Sequence, residues 1–174
     1  MVNQELYNEY TSLLRVKTDC QNILTVLKEG YISTKTISGK KYSYLQYRID
    51  GKLLSEYIRE DDVPNIRAEL DERIHTLKRV RETDSRLDKL ETAAGILDDG
   101  LRRKLIAIRR CAAMEAMPLD ERIKSLAFGS AMTALEGIPA GVETEKNLSL
   151  WVTGDFSFQE SYLNTLRTYH LAEV

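Results

Sequence analysis

The chain predicts an α+β fold, mostly α, in which long amphipathic helices flank a three-stranded antiparallel meander and a small helical bundle follows. Three observations carry this prediction. Apolar residues recur at steps of three and four over two long stretches, 3–28 and 64–97. Between them, residues 31–58 change to a period near two, with β-branched residues and tyrosines broken by Ser38-Gly39 and Asp50-Gly51. Glycine and proline are sparse, nine and three in 174 residues, which favours helix elsewhere. Asp98-Asp99-Gly100 interrupts the second helical stretch and divides the chain into residues 1–97, a helix–meander–long helix domain, and residues 98–174, a helical domain.

In the first helix Leu6, Tyr10, Leu13, Val16, Cys20, Ile23 or Leu24, and Leu27 mark the apolar face, and Gly30 is read as its stop. Tyr31–Ile37, Lys41–Ile49 and Lys52–Ile58 are read as strands, with the dipeptide turns as hairpins. Alternation puts Tyr42, Tyr44, Gln46 and Arg48 on one face and Leu45, Tyr47 and Ile49 on the other, which is the better candidate to sit on a helix. Glu60-Asp61-Asp62 and Pro64 suit a helix entrance. Ile66, Leu70, Ile74, Leu77, Val80, Leu87, Leu90, Ala94 and Leu97 then give a helical stripe, interrupted by an inward Asp84, with a bend expected near Asp84 or Gly95. The first helix is its natural antiparallel partner, with the meander packed at one end. Dimerisation through these long helices is a second use for them, although sustained heptads are few.

Leu101–Arg110 resumes the pattern as a basic amphipathic helix. Pro118 marks a boundary, and Leu119–Glu136 forms a helix with Asp120 and Glu121 in its first turn, as the helix dipole prefers. Its apolar residues, Ile123, Leu126, Ala127, Ala131, Ala134 and Leu135, are mostly small and permit close approach to another surface. Glu143–Val152 is a further helix ending at Gly154, and Ser157-Phe-Gln-Glu160 is a capping box for the last one. Trp151, Phe156, Phe158, Tyr162, Leu166 and Tyr169 are the expected small core of this bundle.

Composition narrows the function. Forty-three per cent hydrophobic and thirty per cent charged residues, with a net charge of −2, describe a soluble protein with no bulk case for a nucleic-acid or membrane partner. Cys20 and Cys111 form no paired motif, so no metal framework is expected, and the absence of a signal peptide or apolar span fits a reduced cytoplasmic setting. There is no glycine-rich phosphate loop, HExxH or GxSxG, and His75 and His170 lack a partner carboxylate at suggestive spacing. Neither enzymatic activity nor a cofactor is expected.

Charge is uneven, however. Residues 101–110 hold Arg102, Arg103, Lys104, Arg109 and Arg110 with no acid, whereas residues 112–174 hold nine acids against four bases. Two readings of the basic helix stay open: it contacts phosphates or a membrane surface, or its basic face answers the acidic C-terminal third. The meander poses the same choice. Lys35, Lys40, Lys41, Tyr42, Tyr44 and Arg48 are candidate nucleic-acid contacts, since tyrosines can stack on bases while cations follow the backbone. Equally, tyrosine suits strands and lysine solubilises exposed edges. The meander also resembles uncharacterised bacterial proteins of mobile elements.

The stretch Ser130–Gly137 ends a helix with Glu136 and Gly137. Gly137 can take the left-handed conformation that stops a helix. A carboxylate at the negative end of a helix dipole is mildly unfavourable, so Glu136 can serve something outside the chain. Leu135-Glu-Gly-Ile138, the acid-rich turn at Glu143, Leu148–Val152, Gly154-Asp155 and the last helix follow in an order that resembles the VbhA-like antitoxins, helical inhibitors of Fic enzymes. The resemblance covers about residues 119–174. It implies that Glu136 pairs with an arginine of a Fic active site and keeps ATP from the pose needed to transfer AMP. The family carries Ser or Thr four residues before the Glu; here that position is Met132, with Thr133 three before and Ser130 six before. The resemblance thus implies a non-enzymatic inhibitor with a Fic-type partner. The alternatives are a nucleic-acid-binding regulator and a mobile-element inhibitor of another enzyme.

Overall fold

A computed structural model describes residues 2–137 and 139–169; Ile138 and His170 lie outside them. The described elements are α1 (Val2–Val26), β1 (Tyr31–Ile37), β2 (Lys40–Ile49), β3 (Lys52–Ile58), a single 3-10 turn at Glu60–Asp62, α2 (Val63–Leu97), α3 (Asp99–Glu115), α4 (Leu119–Leu135), α5 (Val142–Thr153) and α6 (Phe158–Thr168). They divide into two compact units, residues 1–97 and 98–174. The fold is mostly helical α+β, as the sequence pattern requires.

In the first unit α1 and α2 form an antiparallel pair. Tyr10 is fully buried and its hydroxyl donates to Glu91 at 2.6 Å. Further along, Lys17 meets Asp84 at 2.7 Å, and near the end of α1 the Arg73 guanidinium donates to the carbonyls of Leu24 at 2.7 Å and Leu27 at 3.1 Å. Those carbonyls belong to the orphan acceptors at a helix C-terminus, so Arg73 caps α1 from the neighbouring helix. The inward Asp84 is answered by Lys17, and α2 runs continuously through Asp84 and Gly95.

The buried stripe differs from the apolar series in places. Leu14, not Leu13, is buried in α1, and Ile23 faces outward. In α2, Thr76 and Thr83 are buried, while Ile74, Leu77 and Leu97 are exposed. From Thr76 onward, Val80, Thr83, Leu87, Leu90 and Ala94 follow at alternating steps of four and three, the period of a two-helix seam. A rigid helix cannot turn separate residues inward, so the phase set by the leucines carries the threonines with it. Thr83 satisfies its hydroxyl by donating to the Arg79 carbonyl at 2.8 Å.

The sheet order is β1-β2-β3, antiparallel throughout, with Ile37 opposite Lys40 and Ile49 opposite Lys52. Both loops are therefore two residues long. Ser38 and Gly39 have φ of 51° and 81°, and Asp50 and Gly51 have 49° and 77°, the positive pair of a type I′ turn. One sheet face, with Ile32, Leu45, Tyr47 and Ile58, packs on Val63, Ile66 and Leu70 of α2. Gly30 has a different role from the expected helix stop, since α1 ends four residues earlier. It lies against β2 with φ +114°, where an added Cβ would stand 2.1 Å from the Gln46 carbonyl oxygen.

In the second unit Asp98 caps α3, its side chain accepting from the Gly100 N–H at 2.8 Å. The break at 98–100 is thus one residue wide. Gly154, at φ +86°, ends α5, and Ser157 with Glu160 forms the capping box of α6. The bundle's core is smaller than the aromatic series suggests. Trp151 and Ser161 are almost fully buried, and Phe158 meets the Trp151 ring edge-on at 5.0 Å. Tyr162 and Tyr169 lie at the surface, 43% and 49% exposed. The described part of α4 buries no residue. Among the described residues no helix is long and apolar enough to cross a membrane.

Candidate functional site

Helix α4 is positioned by one residue above all. Arg122 donates to the carbonyls of Met117 at 2.8 Å, Glu115 at 2.8 Å and Trp151 at 3.2 Å, and its guanidinium lies 5.5 Å from the centre of the Trp151 ring. One cation therefore ties α4 to the end of α3 and the end of α5. Sequence reasoning passed over it because a lone Arg in a helical first turn carries no pattern. The side of α4 turned toward α5 carries Arg122, Leu126, Ser130 and Thr133. With Trp151 and Leu148, the last three line a cavity of about 240 Å³.

Of the expected apolar face of α4, Leu126 faces its own bundle and the rest does not. Ile123 is 52% exposed and Leu135 82% exposed, and Ala127, Ala131 and Ala134 are exposed with them. Phe128, Met132 and Leu135 stand at i, i+4 and i+7, so they form one solvent-facing stripe on the side opposite Leu126 and Thr133. The aromatic and the methionine of that stripe were missed because the small alanines suggested a different face. Glu136 follows directly. It is exposed, keeps helical backbone at φ −77° and ψ 0°, and donates its N–H to the Met132 carbonyl at 3.1 Å. Gly137 turns to φ +74° and, among the described residues beyond its chain neighbours, nothing lies within 4 Å of where a Cβ would stand. The carboxylate therefore projects at the carbonyl end of α4, beside an exposed apolar stripe.

Along α3, Arg102 and Arg110 are exposed and Arg103 pairs with Asp99 one turn back at 2.6 Å; Arg109 is partly buried. Arg103 and Arg110 flank a groove of about 640 Å³ whose floor is Ile106, Ala107, Cys111, Met114, Phe158 and Tyr162. Burial, with the Glu115 charge adding to it, pushes the Cys111 thiol up, so the groove offers no ready thiolate nucleophile.

In the first unit the free face of the sheet gathers Lys35, Tyr42, Tyr44 and Arg48, together with Tyr57, which sequence reasoning left out. Register makes the grouping: Lys35 is opposite Tyr42, and Tyr44 is opposite Tyr57. Lys40 lies on the same face by alternation, whereas Lys41, opposite Thr36, shares the face of Leu45 and leaves the group. The Tyr44 and Tyr57 rings meet edge-on at 5.8 Å, Tyr42 and Tyr57 are 6.2 Å apart, and the Lys35 ammonium sits 4.6 Å from the Tyr44 ring centre. Arg48 donates to the Gly51 carbonyl at 3.2 Å at the far turn.

Residues 4–68, covering most of α1, the meander and the start of α2, are similar to the domain of unknown function DUF6788. No curated protein and no solved structure matches the chain.

Proposed function

We propose that this protein is a non-enzymatic, antitoxin-like inhibitor of a Fic-type AMP-transferase, obstructing the enzyme with the end of α4. The observation that carries the proposal is the exposed Glu136 at the close of a helix whose outward stripe, Phe128, Met132 and Leu135, is 68%, 40% and 82% exposed. A helix that leaves its large apolar residues outward has surface to give to a partner. The carboxylate sits where its own helix dipole disfavours it, by about 0.3–1 kcal/mol for a surface charge, so an arginine supplied by another chain would meet an acceptor that gains from pairing. Such a pair occupies the cation that ATP phosphates would otherwise use. Gly137 lets the chain leave the pocket without a side chain at the turn. Met132, in the place of the family's Ser or Thr, adds to the apolar stripe and would exchange a hydroxyl contact for apolar burial against the enzyme.

The test is a complex of this chain with the Fic enzyme recovered alongside it, assayed for AMP transfer from labelled ATP. Glu136→Gly is expected to leave folding and complex formation intact and to release AMP transfer. A complex that stays silent after the substitution removes the mechanism, and recovery of no Fic enzyme removes the partner.

A further inference from the structure

We infer that the free face of the meander binds single-stranded nucleic acid, with bases stacked on Tyr42, Tyr44 and Tyr57 and the phosphate backbone drawn by Lys35, Lys40 and Arg48. The inference is independent of the inhibitor proposal and concerns the other unit of the chain.

The first support is the separation of the two sheet faces. The face with Ile32, Leu45, Tyr47 and Ile58 is already occupied by α2, so its tyrosine is accounted for by packing. On the other face Tyr42, Tyr44 and Tyr57 meet in tilted or edge-on contacts, the Lys35 ammonium lies over the Tyr44 ring, and Tyr57 remains 54% exposed. Tyr44 and Tyr57 converge from two strands by direct opposition, a pair that stabilises the sheet and at the same time presents ring surface to solvent.

The second support is charge. Alternation gives this face Tyr31, Ser33, Lys35 and Ile37 from β1, then Lys40, Tyr42, Tyr44, Gln46 and Arg48 from β2, then Leu53, Ser55 and Tyr57 from β3. Its strand positions hold three cations and no acid, in a protein whose net charge is −2, and an acid at its border, Glu60 just beyond β3, lines a hollow with Lys40, Tyr42 and Tyr57. Glu56, the acid within β3, belongs to the opposite face, opposite Leu45. Solubilising an exposed sheet needs charge of either sign; strands that carry only cations on this face fit a polyanion. Lys40 and Arg48 lie eight residues apart on one strand, about 26 Å at the usual rise, which is the reach of a few stretched nucleotides. Unpaired bases fit the tyrosine cluster better than a duplex does, because stacking on tyrosine requires a π-face that the neighbouring base pairs cover inside a duplex. An acidic peptide would be served by the cations but has no use for three converging rings.

The full-length chain is titrated into a fluorescently labelled sixteen-residue oligothymidylate and, separately, into a sixteen-base-pair duplex, with anisotropy read over a range of salt. Preferential binding of the single strand is expected, with log affinity falling against log salt at a slope of about −2 for three cations, roughly twentyfold between 50 and 200 mM. Tyr57→Ala is expected to weaken binding about tenfold without altering the far-ultraviolet circular dichroism, and Lys35→Gln to flatten the salt slope by about 0.7. The double variant Arg102→Gln/Arg110→Gln on α3 is expected to bind as the unaltered chain does. No binding at 50 mM salt, equal affinity for the duplex, or loss with the α3 variant while Tyr57→Ala remains neutral would each overturn the inference.

Discussion

The two units of this chain bury themselves to different depths. Among the described residues, the first buries Leu6, Tyr10, Leu14, Cys20, Leu45, Ile58, Ile66, Leu70, Leu87, Leu90 and Ala94, whereas the second buries only Leu105 and Trp151 as apolar side chains. The first closes a long helix pair over a continuous seam and spends one sheet face on α2. The second leaves α4 without a buried residue and holds it by Arg122. The difference teaches where each unit's stability resides: spread along a seam in one, concentrated in a tryptophan and a guanidinium in the other. It also separates packing from recognition. The large side chains of α4 are spare for the bundle, as the tyrosines of the sheet are spare for the hairpin, and each proposed interface is built from what its own core does not use.

The sharpest way to break the comparison is at Trp151. Trp151→Ala removes the almost fully buried ring on which Phe158 and Arg122 rest, and a loss of about 3–5 kcal/mol is expected. A unit with so thin a core would then be unfolded at room temperature. Hydrogen exchange is expected to show protection lost in residues 98–169 and kept in α1 and α2; loss throughout the chain would show that the two units do not fold separately. Trp151→Phe should be gentler, since among the described residues the indole N–H has no hydrogen-bond partner to forfeit.

A matched pair of arginines sharpens it further. Arg73 and Arg122 both bind carbonyls at the ends of helices other than their own. Alanine at either leaves those acceptors without a charged donor, a cost of about 2 kcal/mol. The chain's single tryptophan lies in the second unit, so its emission follows that unit alone. Urea unfolding followed by this emission is expected to shift for Arg122→Ala and to stay in place for Arg73→Ala, whose effect should appear in the helical signal at 222 nm.

The smallest expected effect concerns the α6 cap. Backbone and hydroxyl hydrogen bonds from Ser157 hold the Glu160 carboxyl below the ordinary glutamate range. Because the folded value is lowered, its contribution is complete above the ordinary value of about 4.3 and is lost as pH falls through the lowered one. Glu160→Gln is expected to flatten the acid limb of the tryptophan-detected stability curve slightly; an unchanged limb would show that the cap adds nothing measurable.

Local rules in the sequence determined much of this protein. Type I′ hairpins follow from Ser38-Gly39 and Asp50-Gly51, because few other dipeptides accept two positive φ angles. The capping box at Ser157 and Glu160 and the stops at Gly137 and Gly154 are equally local. The α1–α2 pairing was legible from the length of two periodic runs, and the end of α4 from its glycine, whereas the exposure of Glu136 came only with the structure. What only the tertiary structure decided is helix rotation and cross-strand company. Whether Thr76 or Leu77 turns inward depends on the phase the whole helix takes against α1, and one residue of phase is about 100° of rotation. Which tyrosines gather depends on strand register, which brought Tyr57 to Tyr44. Arg73 and Arg122 find their carbonyls across other helices. Periodicity along one element cannot carry such information, because it belongs to the contact between two.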